Sequence, residues 1–178
     1  LYRLSAKPKT KVLKHKVQLL GSGTILLEVM AAAELLAQDF GIAADVWSVT
    51  SFNECGREGA AVERWNRLHP LEKPKTSYVH DCLASTEGPV IAATDYMRAY
   101  AEQLRVLMPR SYHTLGTDGF GRSDTRKQLR RFFEVDRFYV VLTALQALAD
   151  EGTIDKAVVA QAMKQYDIHP DKPNPTTI

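Results

Sequence analysis

The stretch VQLLGSGTILLEVMAAAELLAQDF, residues 17–40, decides the fold class of this chain. Its first residues, VQLL, have the length and apolar character of a short strand, and Gly21-Ser22-Gly23 ends that strand. The apolar residues then recur at helical spacing, as Ile25, Val29, Ala32, Leu36 and Phe40. Because Gly41 follows as a helix stop, a long helix is predicted from Thr24 onward. A strand that leads through a glycine turn into an amphipathic helix begins a βαβ unit.

Further apolar runs of strand length follow along the chain and are separated by helical segments. They lie at residues 45–52, 89–93 and 112–115, and residues 1–4 alternate like a short edge strand. Strands that alternate with helices of about 10 to 15 residues form right-handed crossovers and a mostly parallel sheet. We therefore predict an α/β fold: a single three-layer domain, with a mostly parallel sheet of about five strands, one antiparallel edge strand, and helices on both faces. The helices are predicted at residues 54–69, 77–83, 96–108, 123–134, 136–151 and 155–166.

The predicted domain occupies residues 17–169 and is flanked by two segments of different composition. Residues 1–16 combine the edge strand with a lysine-rich linker or loop, for which a solvated spacer is favoured and a grip on phosphate or lipid is the alternative. Residues 170–178 are rich in proline and are expected to form an extended, loosely held tail. Because the chain begins Leu1-Tyr2-Arg3, without an initiator Met, we expect it to be a piece of a longer polypeptide. The lysines of the linker are Lys7, Lys9, Lys11, Lys14 and Lys16.

Composition and charge exclude several classes of protein. The 178 residues are 45% apolar and 25% charged, which is usual for a globular chain. The formal net charge of +2 does not fit a nucleic-acid-binding protein. No uncharged apolar run reaches the roughly 18 residues of a membrane span, so no membrane partner is expected. Cys55 and Cys82 have no metal-binding spacing, which favours a reducing, cytoplasmic compartment.

The sequence contains no complete catalytic set. Gly21-Ser22-Gly23 stands where a phosphate-binding glycine loop would, but the dinucleotide pattern needs a glycine at the position of Leu26. The five histidines show no metal-ligand spacing. Cys55, beside Glu54, is interpreted as a small buried group rather than a nucleophile. One alternative stays open here: a stand-alone flavodoxin-like module that binds a phosphate or nucleotide at the glycine turn.

The loop LGTDGFGRSD, residues 115–124, carries the candidate site. It follows the last predicted strand, and α/β folds bind ligands at the edge where parallel strands end. We expect Phe120, which stands between two glycines, to project from the loop, and Ser123 to cap the next helix. We interpret the loop as a rigid turn in which Asp118 bonds local amides and Phe120 packs on another domain; a substrate site is the alternative. The candidate interface residues are Asp118, Phe120, Arg122 and Asp124.

A basic cluster lies on the helix that follows this loop. Glu134 and Asp136 come directly after it, and the whole chain is nearly neutral. A solvated face or interdomain salt bridges are therefore favoured over a nucleic-acid surface, and a docking surface for another protein is the alternative. The cluster consists of Arg122, Arg126, Lys127, Arg130 and Arg131.

Three stretches resemble the C-terminal domain of transketolase-like thiamin enzymes: residues 17–37, 45–54 and 106–124. Transketolases have a similar strand, glycine turn and helix, and a similar Gly-x-Asp-x-Phe-Gly-x-Ser loop. The chain looks most like one branch, the homodimeric pyruvate dehydrogenase component of the bacterial pyruvate dehydrogenase complex. The stretches that carry this second likeness are ERWNRLHP (63–70), LGTDGFGRSD (115–124), FFEVDRFYVV (132–141) and GTIDKAVVAQA (152–162).

The resemblance implies a supporting domain of a larger enzyme. That family oxidatively decarboxylates pyruvate on thiamin diphosphate and passes the acetyl group to a lipoyl arm. Thiamin diphosphate and magnesium lie there between the N-terminal and middle domains, whose motifs have no matching positions here. The resemblance thus implies no catalytic or cofactor-binding residue in this chain, no cofactor bound by it, and no activity of the piece alone. The implied partners are its own N-terminal and middle domains, a second subunit of a homodimer, and the dihydrolipoyl acetyltransferase core, for which the basic helix is an alternative docking surface.

Overall fold

The computed structural model describes residues 1–4 and 13–178. Lys7, Lys9 and Lys11 of the lysine-rich segment lie outside the described residues. The strands form a five-stranded sheet in the order β1-β3-β2-β4-β5. Strand β1 pairs antiparallel with β3, and the other neighbours are parallel, which confirms the predicted sheet. The strands are β1 (Tyr2–Leu4), β2 (His15–Gly21), β3 (Ile42–Ser48), β4 (Val90–Ala93) and β5 (Tyr112–Leu115).

Helices cover both faces of this sheet, as predicted. One face is covered by α1 and α6, with α7 packed on α6, and the other by α2, α3 and α4. In the described residues no helix is long and apolar enough to cross a membrane. The helices are α1 (Leu26–Phe40), α2 (Phe52–Leu68), α3 (Tyr78–Leu83), α4 (Arg98–Glu102), α5 (Arg126–Phe132), α6 (Arg137–Asp150) and α7 (Lys156–Gln165).

Two hydrophobic cores lie on opposite sides of the sheet because successive side chains of a strand point to opposite faces. On β2, Leu19 belongs to the core beneath α1 and α6, whereas Leu20 belongs to the core beneath α2 and α3. Both side chains are fully buried. The alternation continues on β4, where Ile91 joins the first core and Ala92 the second. The sheet therefore separates two cores that are packed from different helices.

Strand β3 begins and ends earlier than the predicted strand at residues 45–52. Gly41 adopts a left-handed conformation, with φ at +66°, and turns the chain from α1 directly into the strand. At the other end the Ser51 hydroxyl accepts a hydrogen bond of 3.1 Å from the backbone N–H of Glu54. This cap starts α2 at Phe52, which the prediction placed in the strand.

The predicted helix at residues 96–108 is wrong in its length. The structure has the short helix α4 and, after it, a separate 3₁₀ turn at Arg105–Leu107. The side chain of Arg105 crosses to β5, where it donates a 2.7 Å hydrogen bond to the carbonyl oxygen of Tyr112. We attribute the break to this bond, together with the burial of Ala101 and Leu104, because both draw the chain towards the sheet.

Two residues of the tail at 170–178 contact the rest of the domain. Pro175 is buried, and the ammonium group of Lys172 donates hydrogen bonds of 2.8 Å to the carbonyl oxygen of Phe132 and to Glu134. These bonds join the tail to the end of α5 and to the segment that follows it.

A buried glutamine of β2, Gln18, joins β3 and the turn before β4 on the side of the second core. The amide of Gln18 donates to the carbonyl oxygen of Glu87, at 3.0 Å, and to Asp45, at 3.2 Å. Its oxygen accepts a 2.8 Å hydrogen bond from the indole N–H of Trp47. Because a buried amide without partners is costly, this complete set of bonds fixes the turn before β4 against β2. The turn passes through Gly88, whose φ is +77°.

The Glu102 carboxylate is expected to make stability depend on pH. It accepts hydrogen bonds from Arg105, at 2.6 and 2.8 Å, and from the Thr114 hydroxyl. The bonds from Arg105 lower the pKa of Glu102 from 4.5 to about 2. Because the folded-state pKa is the lower one, the stability contributed is complete above about pH 4.5 and is lost as the pH falls towards 2.

We therefore predict that Glu102→Gln lowers the urea midpoint at neutral pH, and that the difference from the unchanged chain narrows below pH 4.5. Urea titrations across this range measure the difference. Glu63→Gln, at an exposed position, is the control and is expected to leave the urea midpoint at neutral pH nearly unchanged. A difference that stays constant down to pH 2 would contradict the prediction.

Candidate interdomain interface at the carboxyl edge of the sheet

The loop after β5 is bound to the segment after β4. The N–H of Thr117 donates to the carbonyl oxygen of Tyr96 at 2.9 Å, and the N–H of Arg98 donates to Asp118 at 3.1 Å. Gly116 lies where the two segments approach each other most closely, because a side-chain carbon there would come within 2.6 Å of the Arg98 nitrogen. The two segments, residues 94–98 and 116–124, therefore form one double loop at the edge where β4 and β5 end. Asp118 holds this double loop together from within.

Phe120 projects from the double loop, with 79% of its surface exposed. Gly119 precedes it with φ at +122°, a conformation that side chains other than glycine rarely adopt. A side-chain carbon at Gly119 would also overlap the carbonyl oxygen of Pro175. The backbone thus turns sharply beneath the aromatic ring and presents it to solvent.

Arg122 lines an open groove beside this loop. Its guanidinium group lies 4.3 Å from the centre of the Phe132 ring, which orients it by a cation–π contact. Among the ion pairs of the described residues, none includes Arg122. The groove, of about 340 Å³, is lined by Arg122, Ser123, Asp124, Gln128, Leu129 and Phe132.

The structure corrects the predicted cap of the helix that follows the loop. The Asp124 carboxylate accepts a 2.6 Å hydrogen bond from the N–H of Thr125. Thr125, and not Ser123, is the residue that caps α5, through a bond from the N–H of Gln128 at 3.3 Å. The helix begins later than predicted, and Ser123 stays in the wall of the groove.

Several exposed aromatic and aliphatic side chains share this edge, and sequence reasoning missed them. Tyr96 and Tyr100 lie 5.4 Å apart between ring centres, and Tyr96 is 63% exposed. Met97 is exposed between them, and Leu27 is exposed in the first turn of α1. Since a monomeric surface rarely gathers large apolar groups in one area, this edge has the composition of an interface. The available signal was YMRAY, residues 96–100, directly after a strand.

Two cations of the basic helix point inward, contrary to the predicted solvated face or interdomain salt bridges. Arg130 donates a 2.8 Å hydrogen bond to Glu28, which is only 5% exposed and also accepts a 2.8 Å bond from Arg137. Burial by itself would raise the pKa of Glu28, but the bonds and charge of Arg137, with the charge of Arg130, lower it below its usual range. Arg131 donates to the carbonyl oxygens of Tyr166 and Asp167, at 2.6 and 2.5 Å. A docking surface made of all these cations is therefore excluded, although Arg126 and Lys127 stay exposed.

The glycine turn after β2 does not have the character of a phosphate site. The Ser22 hydroxyl donates a 2.8 Å hydrogen bond to Thr94, and Thr24 donates at 3.1 Å to the carboxylate of Asp95. That carboxylate also lies beside Gly23 and would repel a phosphate. Among the described residues, no three His, Cys, Asp or Glu side chains are grouped to hold a metal ion. These residues therefore do not fit thiamin diphosphate with its magnesium, and no step of a thiamin reaction is assigned to them.

The order of the strands and the glycine-framed loop at their carboxyl edge define an α/β domain of the transketolase type. The model of the transketolase-like TK C-terminal domain matches residues 1–136, and the chain belongs to this family. A solved structure, a split-gene transketolase described as an inactive beta4 tetramer, has a TM-score of 0.51 and 21% identity. The match covers 75% of this chain and 39% of the other, and it supports the fold alone.

The chain is similar to pyruvate dehydrogenase E1 components, which confirms the predicted resemblance. It is 67% identical to the one of Pseudomonas aeruginosa over 162 residues, and 55% identical to the one of Escherichia coli K12 over 163 residues. These matches cover 90% and 91% of this chain, but only 18% of each relative. The relative of Mycolicibacterium smegmatis is 49% identical over 168 residues, with 94% of this chain and 18% of the relative covered. The chain thus spans about a fifth of the length of its curated relatives.

Proposed function

We propose that this chain is the C-terminal, supporting domain of a pyruvate dehydrogenase E1 component. The observation that carries the proposal is the 67% identity to such a component over 90% of the chain, at only 18% of the relative's length. In this proposal the complete enzyme oxidatively decarboxylates pyruvate on thiamin diphosphate with magnesium and acetylates a lipoyl arm. It works in the cytoplasm, as a homodimer, with a dihydrolipoyl acetyltransferase core.

The domain contributes the double loop and its neighbours as an interface to the middle domain and to the dimer. Phe120 is the apolar anchor, and its burial contributes about 1.5 to 3 kcal/mol. Arg122, already oriented by Phe132, pairs with a carboxylate of the facing domain. Asp118 keeps the loop in shape through the Arg98 amide, and Asp124 forms the wall of the groove beside Arg122.

The direction of β1 supports this choice of edge. Tyr2 pairs with Ser48, the last residue of β3, so that Leu1 lies at the carboxyl edge of the sheet. A polypeptide that precedes Leu1 therefore joins the domain at the same edge as Phe120. Because neighbouring strands lie about 4.8 Å apart, the four spacings from β1 to β5, the strand that leads into the Phe120 loop, amount to roughly 19 Å.

We expect Phe120→Ala in the full-length polypeptide to raise the dimer dissociation constant about tenfold to a hundredfold and to lower the melting temperature. The reason is the loss of a buried aromatic anchor, since about 1.4 kcal/mol corresponds to a factor of ten. Sedimentation equilibrium and thermal melts measure both effects. Leu71→Ala is the matched control, since Leu71 is 99% exposed in the loop that follows the far end of α2. If the Phe120 and Leu71 variants both behave like the unchanged enzyme, the interface lies elsewhere.

A further inference from the structure

The last segment of the chain, residues 170–178, is anchored next to the candidate interface. Lys172 binds the carbonyl oxygen of Phe132 and the carboxylate of Glu134, each at 2.8 Å. Its ammonium group also lies 5.3 Å from the centre of the Phe132 ring. The same ring carries the guanidinium group of Arg122 at 4.3 Å. Lys172 and Arg122 therefore share one aromatic platform.

Beyond Lys172 the segment closes on the loop beneath Phe120. Asn174 shapes a turn, because its side-chain oxygen accepts hydrogen bonds from the N–H and hydroxyl of Thr176, at 3.0 and 2.8 Å. This turn brings the carbonyl oxygen of the buried Pro175 against Gly119, where only a glycine leaves room. The last segment thus contacts the backbone of Gly119, directly before Phe120. It also contacts the ring of Phe132, which orients Arg122.

We infer that residues 172–178 are a positioning element of the interdomain interface. They support the loop from the side opposite to the Phe120 ring, so that Phe120 and Arg122 keep the arrangement in which they meet the facing domain. The facing surface is formed by parts of the polypeptide that precede Leu1, both in the same subunit and in the partner subunit of the dimer. The inference rests on the proposed function, because it concerns the same interface.

The test uses the full-length polypeptide with residues 172–178 deleted. Amide hydrogen exchange over residues 116–124 is expected to accelerate about tenfold, because the loop loses its support. The dimer dissociation constant is expected to rise by about the same factor, because a loop that must be ordered on binding lowers affinity. Exchange in α3, which packs in the core on the other face of the sheet, is expected to stay unchanged, and this separates positioning from a general loss of stability.

Point variants keep the test decisive if the deletion unfolds the domain. Lys172→Met retains the hydrophobic stem but loses the ammonium group. We expect it to accelerate amide exchange over residues 116–124 about threefold and to raise the dimer dissociation constant about threefold. Lys172→Arg retains the charge, so its amide exchange and dimer dissociation constant are expected to stay close to those of the unchanged enzyme. Lys164→Met, at an exposed position of α7, is the control and is expected to change neither.

The possible results separate the two proposals. If Phe120→Ala weakens the dimer, while the deletion and Lys172→Met leave exchange and dimerisation unchanged, the positioning role is wrong and the interface stands. If the deletion accelerates exchange but neither it nor Phe120→Ala weakens the dimer, the proposed interface is wrong, and the positioning role falls with it.

Discussion

Replacing Gly88 by alanine is expected to lower the free energy of unfolding by about 3 kcal/mol. Gly88 has φ at +77°, and an L-residue in this left-handed region costs about 1 to 2 kcal/mol. The added carbon would also overlap the carbonyl oxygen of Lys16 in β2. That oxygen belongs to a strand paired on both sides, so relief requires movement of the backbone, which costs about 1 to 3 kcal/mol more.

The same movement disturbs the buried bonds of Gln18. The turn at residues 87–89 supplies the Glu87 carbonyl to the Gln18 side chain, at 3.0 Å, and the Pro89 carbonyl to the Gln18 backbone, at 2.9 Å. Displacing the turn leaves buried donors without partners, and each such donor costs about 1 to 3 kcal/mol. The expected loss is therefore a lower limit.

Urea unfolding measures the loss, and Gly41→Ala is its matched control. Gly41 has a similar φ of +66°, but a side-chain carbon there would meet nothing within 4 Å. The control variant therefore isolates the cost of the backbone conformation from the cost of the overlap. Equal losses for the two variants would show that β2 and the turn adjust without strain.

Replacing Glu28 by alanine is expected to cost about 2 to 4 kcal/mol. The change leaves Arg130 and Arg137 without the carboxylate that joins α1 to the segments of α5 and α6. Removing one partner of a buried ion pair is destabilising because the remaining charge is desolvated and unpaired. The expected loss of stability is at the lower end for a buried ion pair, because Arg137 is partly exposed and water can solvate its unpaired charge in part.

The pH dependence of this loss has a definite sign. Because the pKa of Glu28 is lowered in the folded chain, its contribution is present above the ordinary value of 4.5 and fades as the pH falls below it. Urea unfolding of Glu28→Ala and Glu28→Gln at neutral and acid pH measures it. Glu34→Ala, at an exposed position of the same helix, is expected to change stability by less than about 0.5 kcal/mol. A Glu28 variant as stable as the Glu34 variant at neutral pH would contradict the expectation.

Local patterns sufficed for most of the sheet and for its antiparallel edge. Strand β5 has the bounds 112–115 that were predicted, because Tyr112 and Thr114 favour a strand and the short stretch between Pro109 and Gly116 leaves little freedom. The ends of β3 escaped prediction, since Ser51 fits the end of a strand as well as the start of a helix. The stretch Ser51-Phe52-Asn53-Glu54 matches the capping-box pattern, a sequence signature that favours the helix start seen in the structure.

Contacts between residues that lie far apart in the sequence could not be predicted. Glu28 and its partners stand 102 and 109 residues apart, so a polar residue in α1 looked like any exposed one. The exposure of Phe120 followed from its flanking glycines, whereas the link between Asp118 and Arg98 depends on β4 and β5 lying side by side. The contact of Pro175 with Gly119 depends on the path of the whole chain, and no local pattern contains it.

The separation of the two cores by the sheet has a consequence for how the domain tolerates change. Leu19 and Leu20 are neighbours in sequence, yet each packs among side chains that the other never touches. Substitutions on opposite faces communicate only through the peptide groups of the strands, and effects at sites without shared neighbours add up. Core residues beneath α1 and α6 can therefore be substituted during evolution without disturbing the packing beneath α2 and α3.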